Sequence, residues 1–569
     1  MSPHPTRNVA TTDAHGGAAG QIGADAVARA IRQLVAHGPV PGFSGADWAI
    51  VRRVYAASGH APVWIDTAGG TLQLRNRAMQ FIDALSRAAD QALSLDVYPV
   101  GTLIRAVDAM RTAGSTSPAR AARADVLLSA TLVAYATHVL TGQVDPRSIN
   151  REWYIEPRTQ DVDSTIADLF REPERDVGIA DLEPRDPEYA LLVAQVARYR
   201  GLVARGGWPR VEQRGILRPG ELSTARVLGT LLARLHLEGY LPLVALTPRS
   251  VSAGDSTAFN EARGPDRSVQ YDRALSLAVA DYQERQGLTV DSVLGPVTRA
   301  SLNRPATFRL HQLEANLERH RWLPRDRGQR FVVVNVPAFR LRAYDHGQAV
   351  LSMKVVVGAE YQGRATPAFS DSMSYVVFRP YWNVPRSIAR RELWPRQRQD
   401  PTYFRRHGYE VVRTAAGANV RQKPAADNAL GRAKFIFPNS FAIYLHDTPA
   451  QALFDERVRA RSHGCIRVEH PDELAEFVLG AQGWDLDRVR AAMESGADDE
   501  RVNLERRLPV YIVYFTAFFR DGVLHFANDI YDRDGALVSA LGVAARGPNG
   551  EGDEASRLRT LARTLAARD

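Results

Sequence analysis

A single cysteine, Cys465, stands among 569 residues. No intramolecular disulfide and no multi-cysteine metal site can therefore form. Scarcity of thiols also suits a compartment where spare thiols oxidise. Long apolar runs are missing as well. The longest, 126–140 and 508–519, fall short of the roughly 20 residues that cross a bilayer. They read as core elements, and no transmembrane segment is expected. There is no Lys/Arg-rich block and no aromatic-basic motif, which argues against nucleic acid as a partner. Arginine greatly outnumbers lysine, and the net charge of +8 would favour an acidic polymer. The first 25 residues contain no apolar stretch of the signal-peptide kind. Export would thus rely on a signal not visible in this chain, the other reading being a cytoplasmic protein.

What is present is 45% apolar and 24% charged residues, the balance of a soluble globular protein, over a length that suggests about three domains. Residues 1–44 are rich in Gly, Ala, Thr and Pro and are expected to be disordered. Residues 45–215 read as a helical domain: Trp48, Val51, Val54 and Tyr55 recur at helical spacing, as do Leu127, Leu128, Leu132, Tyr135 and Leu140. Residues 216–305 read as a small helical domain with helices at 223–237 and 271–286. A connecting helix occupies 306–330. From 331 to 540 the period becomes strand-like, with strands at 331–336, 339–344 and 349–357 and a hairpin turn at Asp345-His346-Gly347. The basic, proline-bearing segment 386–430 interrupts that pattern and reads as an inserted lid. Strands resume at 433–437 and 441–445, a helix follows at 471–479, and 509–519 with 523–530 look like a late strand pair. Residues 541–569 form a tail. The fold class is multidomain α+β.

Chemistry concentrates in Tyr444-Leu445-His446-Asp447 and Ser462-His463-Gly464-Cys465-Ile466-Arg467. A free thiol with a pKa of about 8.5 is mostly protonated at neutral pH, so a nucleophilic cysteine needs a nearby base. His446 ends an apolar strand one loop's length upstream. Gly464 would let a substrate backbone approach closely, and the turn would aim backbone N–H groups at a developing oxyanion. The alternatives are a buried, inert cysteine, or a zinc site from His446, His463, Cys465 and His470, which lacks the usual compact ligand pairs.

The Ser-His-Gly-Cys core, the apolar-Arg pair after it and the upstream Tyr444-Leu445-His446-Asp447-Thr448-Pro449 resemble the signature of L,D-transpeptidase catalytic domains. Arg321-Trp322-Leu323-Pro324, Pro380-Tyr381-Trp382-Asn383-Val384-Pro385, Asn428-Ala429-Leu430-Gly431 and Asp529-Ile530-Tyr531 resemble motifs of its large, scaffold-bearing Gram-negative members. Gly142-Gln143-Val144-Asp145-Pro146 with Trp153, and Gly206-Gly207-Trp208-Pro209, look like landmarks of the scaffold. Residues 271–303 are similar to a small peptidoglycan-binding module, with Ser292 where that module usually has glycine.

The resemblance implies that Cys465 attacks a donor tetrapeptide stem of peptidoglycan and gives a thioester acyl-enzyme. The side-chain amine of a second stem then resolves it into a 3→3 cross-link. His446 is implied as base, with His463, Gly464 and Cys465 lining the oxyanion site. Arg467 and Ser462 would shape the loop and bind a carboxylate, and Tyr444, Trp382 and Asn383 would line the cleft. A periplasmic location, susceptibility to carbapenems, and stems and other cell wall enzymes as partners follow from the same resemblance. No cofactor or metal is expected. A cysteine hydrolase on the same fold and a non-catalytic wall-binding protein are the competing readings.

Overall fold

The computed structural model describes residues 14–68, 71–111, 117–149, 152–155, 162–171, 182–241, 268–360, 363–414, 417–542 and 552–566. Five of its helices matter here: α1 (Ala14–Ala36), α2 (Pro118–Thr141), α3 (Pro187–Ala204), α4 (Ala306–Arg321) and α5 (Gly552–Ala566). Helix α2 starts where the Ser117 hydroxyl accepts from the Arg120 amide, with Pro118 in the first turn. It is long and apolar enough to resemble a membrane span, yet it is mostly buried as the axis of the helical region. Its Asp125 side chain accepts from the Tyr55 hydroxyl at 2.5 Å, the Trp64 amide at 2.8 Å and the Val63 amide at 3.1 Å.

Two expectations are corrected here. Residues 23–36 of the segment read as disordered are helical, and Val27, Ile31 and Val35 are buried in the helical core. Their four-residue spacing was hidden by the Gly/Ala-rich composition around them. The C-terminal tail ends in α5, whose Ala555, Leu558, Leu561 and Leu565 join that same core. The expected connecting helix is present as α4, over Ala306–Arg321, and it is packed on several sides. Leu313 and Leu317 are buried, and so are Gln312, Glu314, Asn316, Glu318, Arg319 and Arg321. Its polar groups are paired on several sides, as buried polar groups must be. Arg200 bridges to Glu314 at 2.7 Å, Arg319 to Asp534 at 2.6 Å and Arg321 to Glu318 at 2.9 Å. The Gln312 side-chain amide donates to the Thr516 carbonyl at 3.0 Å.

The small helical unit has helices at Ala225–Glu238, Arg273–Arg285 and Pro296–Leu302 around Leu231, Leu235, Val279, Tyr282 and Leu294. Ser292 sits at φ +58°, and its amide donates to the Gln283 side chain at 2.8 Å.

Among the described residues the main sheet of the β-rich region has nine strands: β1 (Arg330–Asn335), β2 (Arg340–Asp345), β3 (Gln348–Gly358), β4 (Phe369–Phe378), β5 (Ala433–Ile436), β6 (Leu445–His446), β7 (Ala460–Ser462), β8 (Ile466–Val468) and β9 (Glu500–Val513). Their order is β7-β3-β8-β6-β5-β4-β9-β1-β2, and β2 also pairs with β3. The ladder therefore closes on itself into an eight-stranded circuit with β7 as a branch, which removes most open sheet edge. The pairs β6–β8 and β9–β1 are parallel. Alternating Val332, Val334, Leu341, Ala343, Val355, Val376 and Ile512 fill the interior.

Residues 509–513 belong to this circuit as part of β9, so the late hairpin is confined to Ala517–Arg520 and Val523–Phe526. The strand expected at 441–445 shrinks to β6, because Ala442 turns the chain at φ +54°. The segment 386–430 has a small core of its own, with Val384, Ala389, Leu393, Phe404 and Val420. Its three-stranded sheet reaches back to Trp382–Asn383.

Candidate active site

Strands β5, β6 and β8 lie side by side, and their register sets the site. Lys434 is paired with His446, and His446 with Arg467. The three side chains thus form one rung on one face. Tyr444 and Cys465, two residues before His446 and Arg467, share that face through the two-residue period of a strand. The rings of Tyr444 and His446 are 5.7 Å apart, and the Lys434 ammonium lies 4.5 Å over the Tyr444 ring.

Cys465 is half-buried. Its thiol donates to the Ala442 carbonyl at 3.7 Å and is hydrogen-bonded by the Tyr444 hydroxyl. Burial pushes the thiol up, while Tyr444, Lys434 and Arg467 pull it back. His446 is buried, and its Nδ1–H donates to the Asp447 carbonyl at 2.6 Å. Because a carbonyl only accepts, Nδ1 carries the proton and Nε2 keeps a free lone pair. Burial, then the Arg467 charge, with a smaller push from Lys434, holds the imidazole down at about 3, so it is neutral at pH 7. Among the described residues no hydrogen bond joins His446 to Cys465. The expected pair shares a face and adjacent strands instead.

The loop before β8 is wired internally. The Ser462 hydroxyl donates to the Cys465 carbonyl at 2.5 Å and accepts from the Gly464 amide at 3.1 Å. Gly464 sits at φ +117°, which a side chain rarely tolerates. Its amide is engaged within the loop by the Ser462 hydroxyl. The Gly464 carbonyl accepts from the Thr366 hydroxyl at 2.9 Å. Thr366 Oγ1 in turn accepts from the Gly358 amide at 2.9 Å. The Tyr531 hydroxyl donates to the Gly358 carbonyl at 2.5 Å and accepts from the Thr366 amide at 3.3 Å.

His463 is exposed and turned outward, with Nε2 2.7 Å from Glu392 of the insertion. Glu392 also faces Arg364 at 3.5 Å. Arg467 is partly buried, its Nε is unpartnered, and among the described residues no carboxylate lies within ion-pair distance of it. Trp382 and Asn383 are built into the sheet of the insertion, opposite Gln422 and Arg421. Trp382 packs on the core of the insertion near Tyr409, and Asn383 is exposed. His470 lies 3.7 Å from Glu469. Among the described residues no group of three or more His, Cys, Asp or Glu side chains is arranged to hold a metal.

Sequence reading missed Lys434, Thr366 and Glu392, and placed Tyr531 in a motif without a role. Lys434 had one available signal, as a rare lysine in an arginine-rich chain.

Residues 329–512 match the YkuD L,D-transpeptidase catalytic domain, and residues 49–195 match the Scaffold domain family. A Haemophilus influenzae protein provisionally named as an L,D-transpeptidase is 34% identical over 220 residues, 36% of this chain and 44% of that protein. The chain thus spans under half the length of that relative. A solved L,D-transpeptidase from Xylanimonas cellulosilytica aligns over 53% of this chain and 98% of its own, at 16% identity and a TM-score of 0.16, too low to bear on the fold. The β-circuit of this chain thus carries an L,D-transpeptidase catalytic domain and its helical region a scaffold domain.

Proposed function

We propose that this chain cross-links peptidoglycan stems 3→3 through a thioester on Cys465, in the periplasm. The observation that carries the reading is the grouping on one sheet face of the sole thiol, an imidazole with Nε2 free, and an arginine that has no carboxylate partner among the described residues. Such a set suits acyl transfer from a carboxylate-bearing substrate. The Cys465 sulfur attacks the carbonyl of the third residue of a donor tetrapeptide, and its proton passes to Nε2 of His446. The C–N bond to the terminal D-Ala breaks, and the leaving amine takes the proton. The side-chain amine of a second stem then displaces the thiol and restores it.

Incubation with purified tetrapeptide stems tests the reading. Dimers that vanish in Cys465→Ala support it, while release of tripeptide alone points to hydrolysis. A carbapenem should add covalently to the wild type and not to Cys465→Ala, as read by intact-protein mass spectrometry.

A further inference from the structure

A thiol in a partly buried site ionises only if something balances the charge on sulfur. In a thiolate–imidazolium pair the histidine does this, but His446 is badly placed for it. It is buried and flanked on its rung by Arg467 and Lys434, so a proton held there meets two neighbouring cations. The compensating charge has to come from another group.

The lysines single one out. Of 72 lysines and arginines, only Lys354, Lys423 and Lys434 are lysine. Lys354 pairs with Glu469 at 3.0 Å and Lys423 with Glu410 at 3.4 Å. Among the described residues no carboxylate lies within ion-pair distance of Lys434. Its ammonium rests instead on the ring whose hydroxyl bonds the Cys465 sulfur. The neighbours are few. His446 faces it from β6 with Tyr444 just before that strand, and Arg467 lies on β8 with Cys465 just before it. Asp499 acts from the start of β9, and the β4 partner is the apolar Val377. Burial holds the amine below its usual range, so the site bears a cost for keeping this cation. Arginine serves nearly everywhere else in the chain. Lysine concentrates its charge on one nitrogen, where arginine spreads it over a planar fork.

We propose that Lys434 is the charge partner of the reacting thiol, offsetting from beneath Tyr444 the negative charge that develops on the Cys465 sulfur, while His446 holds the thiol proton only in passing to the leaving amine. This rests on Cys465 being the nucleophile. Lys434 keeps its own proton throughout, the thiol proton leaves the sulfur as described above, and Tyr444 carries the contact between them. Lys434 is thus a positioning residue for charge.

The test is the pH dependence of Cys465 alkylation by iodoacetamide in this chain, whose sequence holds no other cysteine. Lys434→Met and Lys434→Gln should raise the apparent pKa of alkylation by about one unit, a roughly tenfold slower reaction at pH 7. Lys434→Arg should restore most of the shift. If the profiles of folded Met and Gln variants superimpose on the wild type, or drop equally at every pH, the lysine is only structural and the proposal is overturned. If the wild-type thiol itself resists alkylation at all pH values, the nucleophile reading fails first, before any lysine variant is made.

Discussion

The Nδ1–H of His446 donates to the carbonyl of Asp447 at 2.6 Å, while the Asp447 carboxylate accepts from the Arg432 amide at 2.8 Å and the Thr448 amide at 2.6 Å. One residue thereby fixes both the tautomer and the position of the proposed base. The pocket that seats this carboxylate is closed by Gly431, at φ +61°. A Cβ there would lie 2.3 Å from the Asp447 carboxyl carbon. Gly431→Ala is expected to displace Asp447 and swing His446. A misplacement of about 1 Å at a reacting group costs on the order of 100-fold. Turnover of tetrapeptide stems should fall far more than the melting temperature does. An equal loss in both would show that Gly431 serves the fold alone.

Thr366 is fully buried and bridges Gly358 to Gly464 with one hydroxyl. Thr366→Val keeps the shape and removes both bonds, leaving a buried amide and a buried carbonyl without this partner. The cost expected is about 1–3 kcal/mol of stability. Slower alkylation of Cys465 should accompany it, because the turn that aims the sulfur loosens. Denaturant unfolding and iodoacetamide kinetics on the same variant check both halves.

Glu392 holds the insertion to the catalytic loop through His463 at 2.7 Å. Water reaching a thioester diverts transfer into hydrolysis, and a closed cover limits that. Glu392→Ala should raise the ratio of tripeptide to cross-linked dimer from tetrapeptide stems while Cys465 remains alkylatable. An unchanged product ratio would remove the insertion from any role in guarding the intermediate.

Local pattern made the strands legible and the long-range partners illegible. The first three strands are readable because Val-rich alternation meets a two-residue turn: Asp345 pairs with Gln348, and His346 and Gly347 take φ of +48° and +79°. The Ser462–Arg467 motif is readable because its residues are contiguous. Lys434 gains meaning only when β5 pairs with β6 and places it opposite His446. Thr366 and Glu392 meet the loop across distant stretches of chain, which no local spacing encodes. The terminal helices were missed for another reason. Their apolar stripes are narrow and sit in Gly/Ala-rich or charged surroundings, so composition outweighed periodicity.

Acid should unfold this protein earlier than its carboxylates alone would require. Burial holds His138 at about 4, and His446 and His525 at about 3, against an unfolded value of 6.5. Below about pH 6.5 the unfolded chain takes up these protons while the folded one does not. The stability tied to neutral histidines is therefore complete above that pH and is lost progressively down to pH 3–4. Asp125 works the other way. Burial raises it from 3.8 to about 6, so the folded form holds a proton that the unfolded form has released, and its contribution declines as pH rises through that window. Burial lowers His311 in the same sense as these histidines and raises Glu183, Glu188, Asp447 and Asp534 in the same sense as Asp125, so the histidine contribution is best measured one residue at a time. His525 gives the sharpest check because it lies outside the catalytic rung, stacked at 5.7 Å on Phe518. His525→Phe preserves that stacking and removes one titrating group. Melting temperatures from pH 7 to pH 4 should fall less steeply for this variant than for the wild type. Parallel curves would mean that His525 takes up its proton in the folded state as readily as in the unfolded one.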